Sequence, residues 1–351
     1  MNANTRRLPW LGAWITALAL LAACGATANP GAPANCSGPT TLRLGYFPNV
    51  AHAMALVGDR GGIFAEGLGE DASLQVHNFN AGGEAIEAIF NGGIDITYIG
   101  PNPAINGFIR SEGEAVRIIA GATSGGAFFV VREGIESAED LRGLTVTSPA
   151  LGNTQDVALR AWLADNGLAT DAEGAGDVSI TPLANAQILE GYIAGQLDGA
   201  WVPEPWATRL LQQGGHVLVD ERDLWPDGRY VTTHLLVRTE FLAQNPELVR
   251  RFLEAHLRAT DFVNDEPAEA QRLVSEGIQA ITGSAMAPDV LATAWGNLAF
   301  TVDPIAGSLQ ESAEDAFALG FLPSDDLAGI YDLSLLNDVL SAAGRPQIAQ
   351  P

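Results

Sequence analysis

The sequence contains no lysine. Its 18 basic residues are all arginine, set against 42 acidic ones, which leaves a formal net charge of −24 over 351 residues. Chemistry that needs a lysine amine is excluded: Schiff bases, pyridoxal phosphate attachment and a P-loop lysine. Nucleic-acid binding requires a basic patch, and this charge balance disfavours it. Cysteine is nearly absent too. With only Cys24 and Cys36 present, and the first of them read below as a lipidation site, no disulfide framework is expected. Enzyme signatures are poor. Ser124 is not in a G-x-S-x-G context. His52, His77, His216, His234 and His256 show no metal-ligand spacing, and Ala81-Gly82-Gly83 lacks the full dinucleotide fingerprint. The reading calls for no cofactor and no metal.

What is present is a large apolar fraction. Hydrophobic residues make up 47% of the chain and charged ones 17%, enough for a sizeable core, and the length points to two domains. At the N-terminus, Arg6 and Arg7 precede an apolar stretch, Leu8 to Ala23, that ends in small residues. That is the pattern of a secretory signal over residues 1–23. Cys24 directly after Leu21-Ala22-Ala23 resembles the bacterial lipobox, in which the cysteine is diacylated and becomes the mature N-terminus. An ordinary signal peptide or an uncleaved anchor is the alternative, but the run is short for a spanning helix. Residues 24–40, including NPGAPANCSGPT, read as a flexible tether.

Beyond the tether, strand-like and helix-like runs alternate in two series. Strands are expected at 42–46, 74–79, 94–99 and 116–121, then at 144–147, 178–183, 199–202 and 217–219, with helices between them. Such alternation implies βαβ units and parallel sheets. From residue 239 the pattern is nearly all helical, with helices at 246–264, 267–281, 288–298, 308–319 and 332–343. The expected fold is α/β with two lobes. Each lobe is a mostly parallel sheet flanked by helices. Lobe 1 takes residues 41–126 plus 237–351, and lobe 2 takes 127–236. The extended runs 127–132 and 230–238 act as hinge strands.

In open α/β sheets, ligands bind beyond the carboxyl ends of strands, so the loops there are the expected carriers of chemistry. Gly45 to His52 gathers an aromatic, a proline, Asn49 and His52; it suits a ligand contact or a helix start capped by Asn49. In DITYIGPNPAINGF, Asn102 suits an N-cap and Pro103 a first helical residue. Gly100-Pro101 brings that helix start close and keeps it stiff, which favours an anion at the N-terminus. Ser124 and Gly125 line a cleft or simply make a turn. Asn153 and Thr154 open a second helix, the lobe-two counterpart of the first. Trp206 offers an apolar wall and Glu204 an acceptor, or only a favourable first-turn charge. Thr232-Thr233-His234, on the second hinge run, faces the cleft or reads as satisfied strand residues, the latter being the leading reading.

Taken together, LRLGYFPN with the following HA and ALV, FNAGGEAIEAIFNGGIDITYIG, LGNTQDVALRAWLADNGL and DGAWVPEPWATRLL resemble substrate-binding proteins of ABC importers. The group is the one serving sulfonates, taurine, nitrate and thiamine-precursor pyrimidines. The resemblance covers most of the chain after the tether. It implies a bilobed periplasmic-binding-protein fold of type II that closes on its ligand. Carried onto this sequence, it selects Asn49, His52, Pro101, Asn102, Ser124, Gly125, Asn153, Thr154, Glu204 and Trp206 as ligand-binding. It further implies a monomeric, lipid-anchored, extracytoplasmic receptor for a small anionic or zwitterionic ligand, with ABC permease subunits as partners and no catalysis. An aliphatic sulfonate or taurine is the leading ligand; nitrate, a pyrimidine thiamine precursor or a flavin is the alternative. Glu204, if it faces the cleft, calls for a ligand carrying an N–H donor. A secreted hydrolase or lyase using His52 or His234, and a sensor subunit of the same fold, are the competing functions.

Overall fold

The computed structural model describes residues 40–351; the signal segment, Cys24 and most of the tether lie outside the described residues. Strands run in chain order as β1 (Thr40–Tyr46), β2 (Ala72–Asn78), β3 (Ile96–Ile99), β4 (Val116–Gly125), β5 (Ala127–Arg132), β6 (Thr145–Thr147), β7 (Ser179–Ile180), β8 (Gly199–Pro203), β9 (Gly215–Asp220), β10 (Val231–Arg238) and β11 (Leu298–Phe300). They form two sheets. The first has the order β11-β4-β10-β3-β1-β2 and the second β7-β6-β8-β5-β9.

Each sheet is the core of one lobe. The helices Pro246–Asp265, Pro267–Thr282, Ala306–Ala318 and Ser334–Ala342 return to the first sheet, where Val249, Phe252, Val274, Leu309 and Leu336 join Leu42, Leu44, Ile96 and Ile118 in one buried cluster. In the second sheet the alternation of side chains is visible residue by residue. Phe129, Val131 and Trp201 point to one face, while Phe128, Val130, Ala200 and Val202 point to the other. Both faces are covered, so the strand sequences read as continuous apolar runs.

Most strands of each sheet run the same way, as expected; β10 and β11 of the first sheet and β5 of the second run opposite. β1 pairs parallel with β2 and β3, but β10 is antiparallel to β3 and β4, and β11 to β4. In the second sheet β6 pairs parallel with β7 and β8, while β5 is antiparallel to β8 and β9. The reason lies in the crossings. A strand that enters a lobe from the other lobe begins at the side facing it and must run away, opposite to strands whose carboxyl ends point there. β5 and β10 are those two strands. The run 230–238, expected as a hinge strand of lobe 2, is a strand of the first sheet for nearly its whole length; the return crossing lies between Asp220 and Val231.

The first crossing is the single residue Gly126 between β4 and β5. Gly125 and Gly126 have φ of +79° and +74°, a region that residues with a Cβ rarely adopt. A Cβ on Gly126 would also stand 2.3 Å from Leu298 Cδ2. The two crossing segments are tied together: the Thr232 hydroxyl donates to Gly125 O at 2.6 Å, and the Ala127 amide donates to the Tyr230 hydroxyl at 3.0 Å.

One position tests how the C-terminal segment is fastened to the sheet. The Gly121 amide donates to Val302 O, and a Cβ there would meet Asp303 O at 2.1 Å. Gly121→Ala is expected to cost about 1–3 kcal/mol through forced backbone displacement. An unchanged urea midpoint would show that the segment yields freely.

Candidate functional site

The cleft between the lobes holds about 500 Å³. It is lined by the loops after β1, β2 and β3 of one lobe and after β6, β7 and β8 of the other, with Thr232 and Thr233 between them. All six loops follow the carboxyl end of a parallel strand, the position expected for a ligand in an open α/β sheet.

In the loop after β1, Asn49 caps the short 3-10 turn Val50–His52, its Oδ1 accepting from the Ala51 amide at 2.7 Å. His52 is buried and stacks on Phe47 at 4.6 Å between ring centroids. Its Nδ1 accepts from the Phe47 amide at 3.3 Å, which leaves the proton on Nε2. Burial holds the imidazole far below its ordinary value, at about 3. His52 is therefore an uncharged donor at the edge of the cleft.

The start of the helix Pro101–Arg110 differs from expectation. Gly100 is its N-cap and Pro101 its first residue, so Asn102 lies inside the first turn and does not cap. Two of the first three helical residues are prolines, which have no N–H. The Asn102 amide is turned to the Thr154 hydroxyl of the other lobe, 3.4 Å away, and its side-chain Nδ2 donates to Ser312 O. This N-terminus offers an anion almost no donors. Gly100 and Pro103 line the cleft; Pro101 is buried beside it, and Asn102 faces two neighbouring cavities instead.

Asn153 caps the helix Thr154–Asp165 by accepting from the Asp156 amide at 3.0 Å. Asp156 is fully buried and organises the whole loop. It accepts from the Ser148 hydroxyl at 2.6 Å, the Gly152 amide at 2.8 Å and Arg160 Nε at 3.0 Å. Asn153 and Thr154 both reach the cleft. So does Trp206, whose ring lies 4.6 Å from the Arg209 guanidinium.

Besides Pro101 and Asn102, three more expected contacts do not line the cleft. Ser124 and Gly125 are buried in β4 at the crossing, paired to Ala299, Val231 and Leu298. Glu204 is fully buried and points away from the cleft. Its carboxylate accepts from the Thr208 amide and hydroxyl at 3.1 and 2.9 Å and from Asn297 Nδ2 of the other lobe at 2.6 Å. Burial pushes this carboxyl up.

The carboxylate that does face the cleft is Glu84, in the first turn of the helix Gly82–Phe90; its Oε2 accepts from the Asn80 amide at 3.2 Å. Among the described residues that line the cleft, Glu84 is the only one with a formal charge, and none is an arginine. Phe79, Gln155 and Asn185 were likewise missed. The strand-end rule covered the loops after β2 and β7, but their small, unmarked residues carried no other signal. The helices Gly82–Phe90, Thr154–Asp165 and Asn185–Ile193 all start at the cleft. Their first-turn amides have no partners within the helix, and their dipoles are positive there.

Two outcomes follow from these contacts. Asp156→Ala leaves Arg160 buried without its partner and is expected to cost about 3–5 kcal/mol, with a matching loss of ligand affinity as the loop relaxes; an unfolding midpoint near wild type would contradict it. Because the His52 pKa is depressed on folding, the unfolded chain takes up a proton that the folded one refuses as pH falls below about 6.5. That costs about 1.4 kcal/mol per pH unit until the folded value is reached. His52→Gln should therefore lose less stability than wild type between pH 7 and pH 5 in urea titrations.

A family model described as the NMT1-like family matches residues 36–278, which include every loop of the cleft. A protein of Brucella abortus (strain 2308), named as a binding protein, is 25% identical over 232 residues, 65% of this chain and 69% of its own. The taurine-binding periplasmic protein of Escherichia coli (strain K12) is 26% identical over 188 residues, 54% of this chain and 57% of its own. The solved alkanesulfonate-binding protein SsuA from Xanthomonas axonopodis pv. citri, bound to MOPS, shares the fold, with a TM-score of 0.67 at 18% identity over 83% of this chain and 97% of that one. The resemblance drawn from LRLGYFPN through DGAWVPEPWATRLL is confirmed, and the chain belongs to the NMT1-like family.

Proposed function

We propose that the protein is the solute-binding component of an ABC importer. It captures a small zwitterionic solute, an amino sulfonate such as taurine, between its two lobes. The observation that carries this reading is the charge pattern of the cleft: helix starts from both lobes and one carboxylate, Glu84, with no cation among the described lining residues. Oriented amides suit a sulfonate without a formal positive charge, and Glu84 suits an ammonium at the other end. The relative named for taurine binding supports the same class. Closure buries the solute, and the closed form is presented to the permease. Residues 41–126 with 237–351, and 127–236, are the closing lobes of this proposal, with the second boundary moved to the crossing between Asp220 and Val231. Cys24 is its lipid anchor on the extracytoplasmic side, and the receptor acts as a monomer.

Binding without catalysis is supported by the histidines. His52 is neutral and bonded to the Phe47 amide, and His234 is fully buried in β10 with Nε2 on Pro304 O. Neither is hydrogen-bonded to a carboxylate. A second ligand, a pyrimidine, is favoured by one feature, the aromatic walls Phe47, Phe79 and Trp206.

Calorimetry with taurine, ethanesulfonate, nitrate and an aminopyrimidine separates these. Taurine is expected to bind most tightly, and Glu84→Gln to weaken taurine about tenfold, through loss of a charge-assisted hydrogen bond, while sparing ethanesulfonate. Tightest binding of the aminopyrimidine would replace the amino-sulfonate reading. No heat with any of the four would sink the ligand class, and an unmodified Cys24 in the mature protein's mass spectrum would remove the anchor.

A further inference from the structure

A second cavity of about 460 Å³ continues from the main cleft, sharing Gly82, Pro103 and Asn153 as a common rim. Its character is different. Ile86, Leu151, Phe321 and Leu322 give it apolar walls drawn from both lobes, with Glu84, Asn106 and Arg110 also on its lining. One polar group there has no explanation in the fold. Asn102 is 3% exposed and lines this cavity, and its Oδ1 has no hydrogen-bond partner. The amide is fixed in orientation, since Nδ2 donates to Ser312 O at 3.2 Å. A buried acceptor without a donor costs about as much as a lost hydrogen bond, so such groups normally have partners.

Size points the same way. The main cleft has the liquid volume of roughly 17 waters, and the second cavity extends it by nearly as much again. Cavities of this range, mostly apolar with a few placed polar groups, suit larger organic ligands.

Resting on the solute-binding reading above, we infer that the ligand is elongated. Its polar head sits in the main cleft, and an apolar arm passes over the Gly82–Pro103 rim into the second cavity. The specificity-determining residues are then those of the second cavity.

The test is a homologous series, ethane-, butane-, hexane- and octanesulfonate, titrated calorimetrically against the full chain and two variants that fill the arm cavity. Gly83 lines it, and a Cβ there meets nothing within 4 Å, so Gly83→Phe adds volume without backbone strain. Leu151, 60% exposed on the facing loop, allows Leu151→Trp from the other side. In wild type, affinity is expected to rise about fourfold per methylene. In both variants the series should flatten, with ethanesulfonate retained. Affinity independent of chain length in wild type overturns the arm and leaves the solute-binding reading standing. The same holds if either folded variant loses ethanesulfonate as strongly as octanesulfonate. Binding of no member of the series overturns both.

Discussion

The architecture depends on a backbone constraint at one point, the passage from β4 to β5. A single residue carries the chain from one lobe to the other, and it does so with two consecutive glycines in the left-handed region, packed against Leu298 and Asn297. From this the strand directions follow. β5 must run away from the cleft, and so must β10 on the return. The loops after β1, β2, β3, β6, β7 and β8 are parallel-strand carboxyl ends, and they bring helix starts from both lobes to face one another. The lobes keep largely separate cores, with Val157 of the second lobe joining the buried cluster of the first.

The electrostatics of the cleft are set by what it leaves out. The chain has 18 arginines, yet none lines the cleft among the described residues. Several are used in the framework instead. Arg160 holds Asp156, and Arg43 and Arg238 both hold the buried Asp95 at the far end of the first sheet. Positive potential in the cleft therefore comes from backbone amides, which do not titrate and need no desolvated counter-charge. Proline edits that supply. At the start of the helix Pro101–Arg110 the donors are removed, so this wall closes against Thr154 and acts as a stiff rim.

Much of the organisation was legible. The five helices expected after residue 239 fall almost where their periodicity places them, because each has a clear apolar face or a proline at its first position, and a further short helix, Thr239–Gln244, precedes them. Asn153 suits a helix start and is a cap, since capping is a local bond between an Asx oxygen and an amide three residues on. Asn102 carried the same local signal and failed, because Pro101 is equally good at a first helical position and moved the helix start upstream.

Other features had no local signature. Glu204 and Glu84 each stand in or just ahead of a first helical turn, and nothing in the neighbouring residues says which faces the cleft. The choice is made by Asn297, 93 positions away, which receives Glu204 as an interlobe partner. Ser124 and Gly125 read as a ligand loop because hydroxyls and glycines suit either a cleft or a crossing. By itself, then, the sequence determined the alternation of elements, the excluded chemistries and the family, since these rest on composition and short-range periodicity. Only the tertiary structure decided strand direction, which acidic residue faces the cleft and which helix starts keep their donors, because each depends on contacts between segments far apart in the chain.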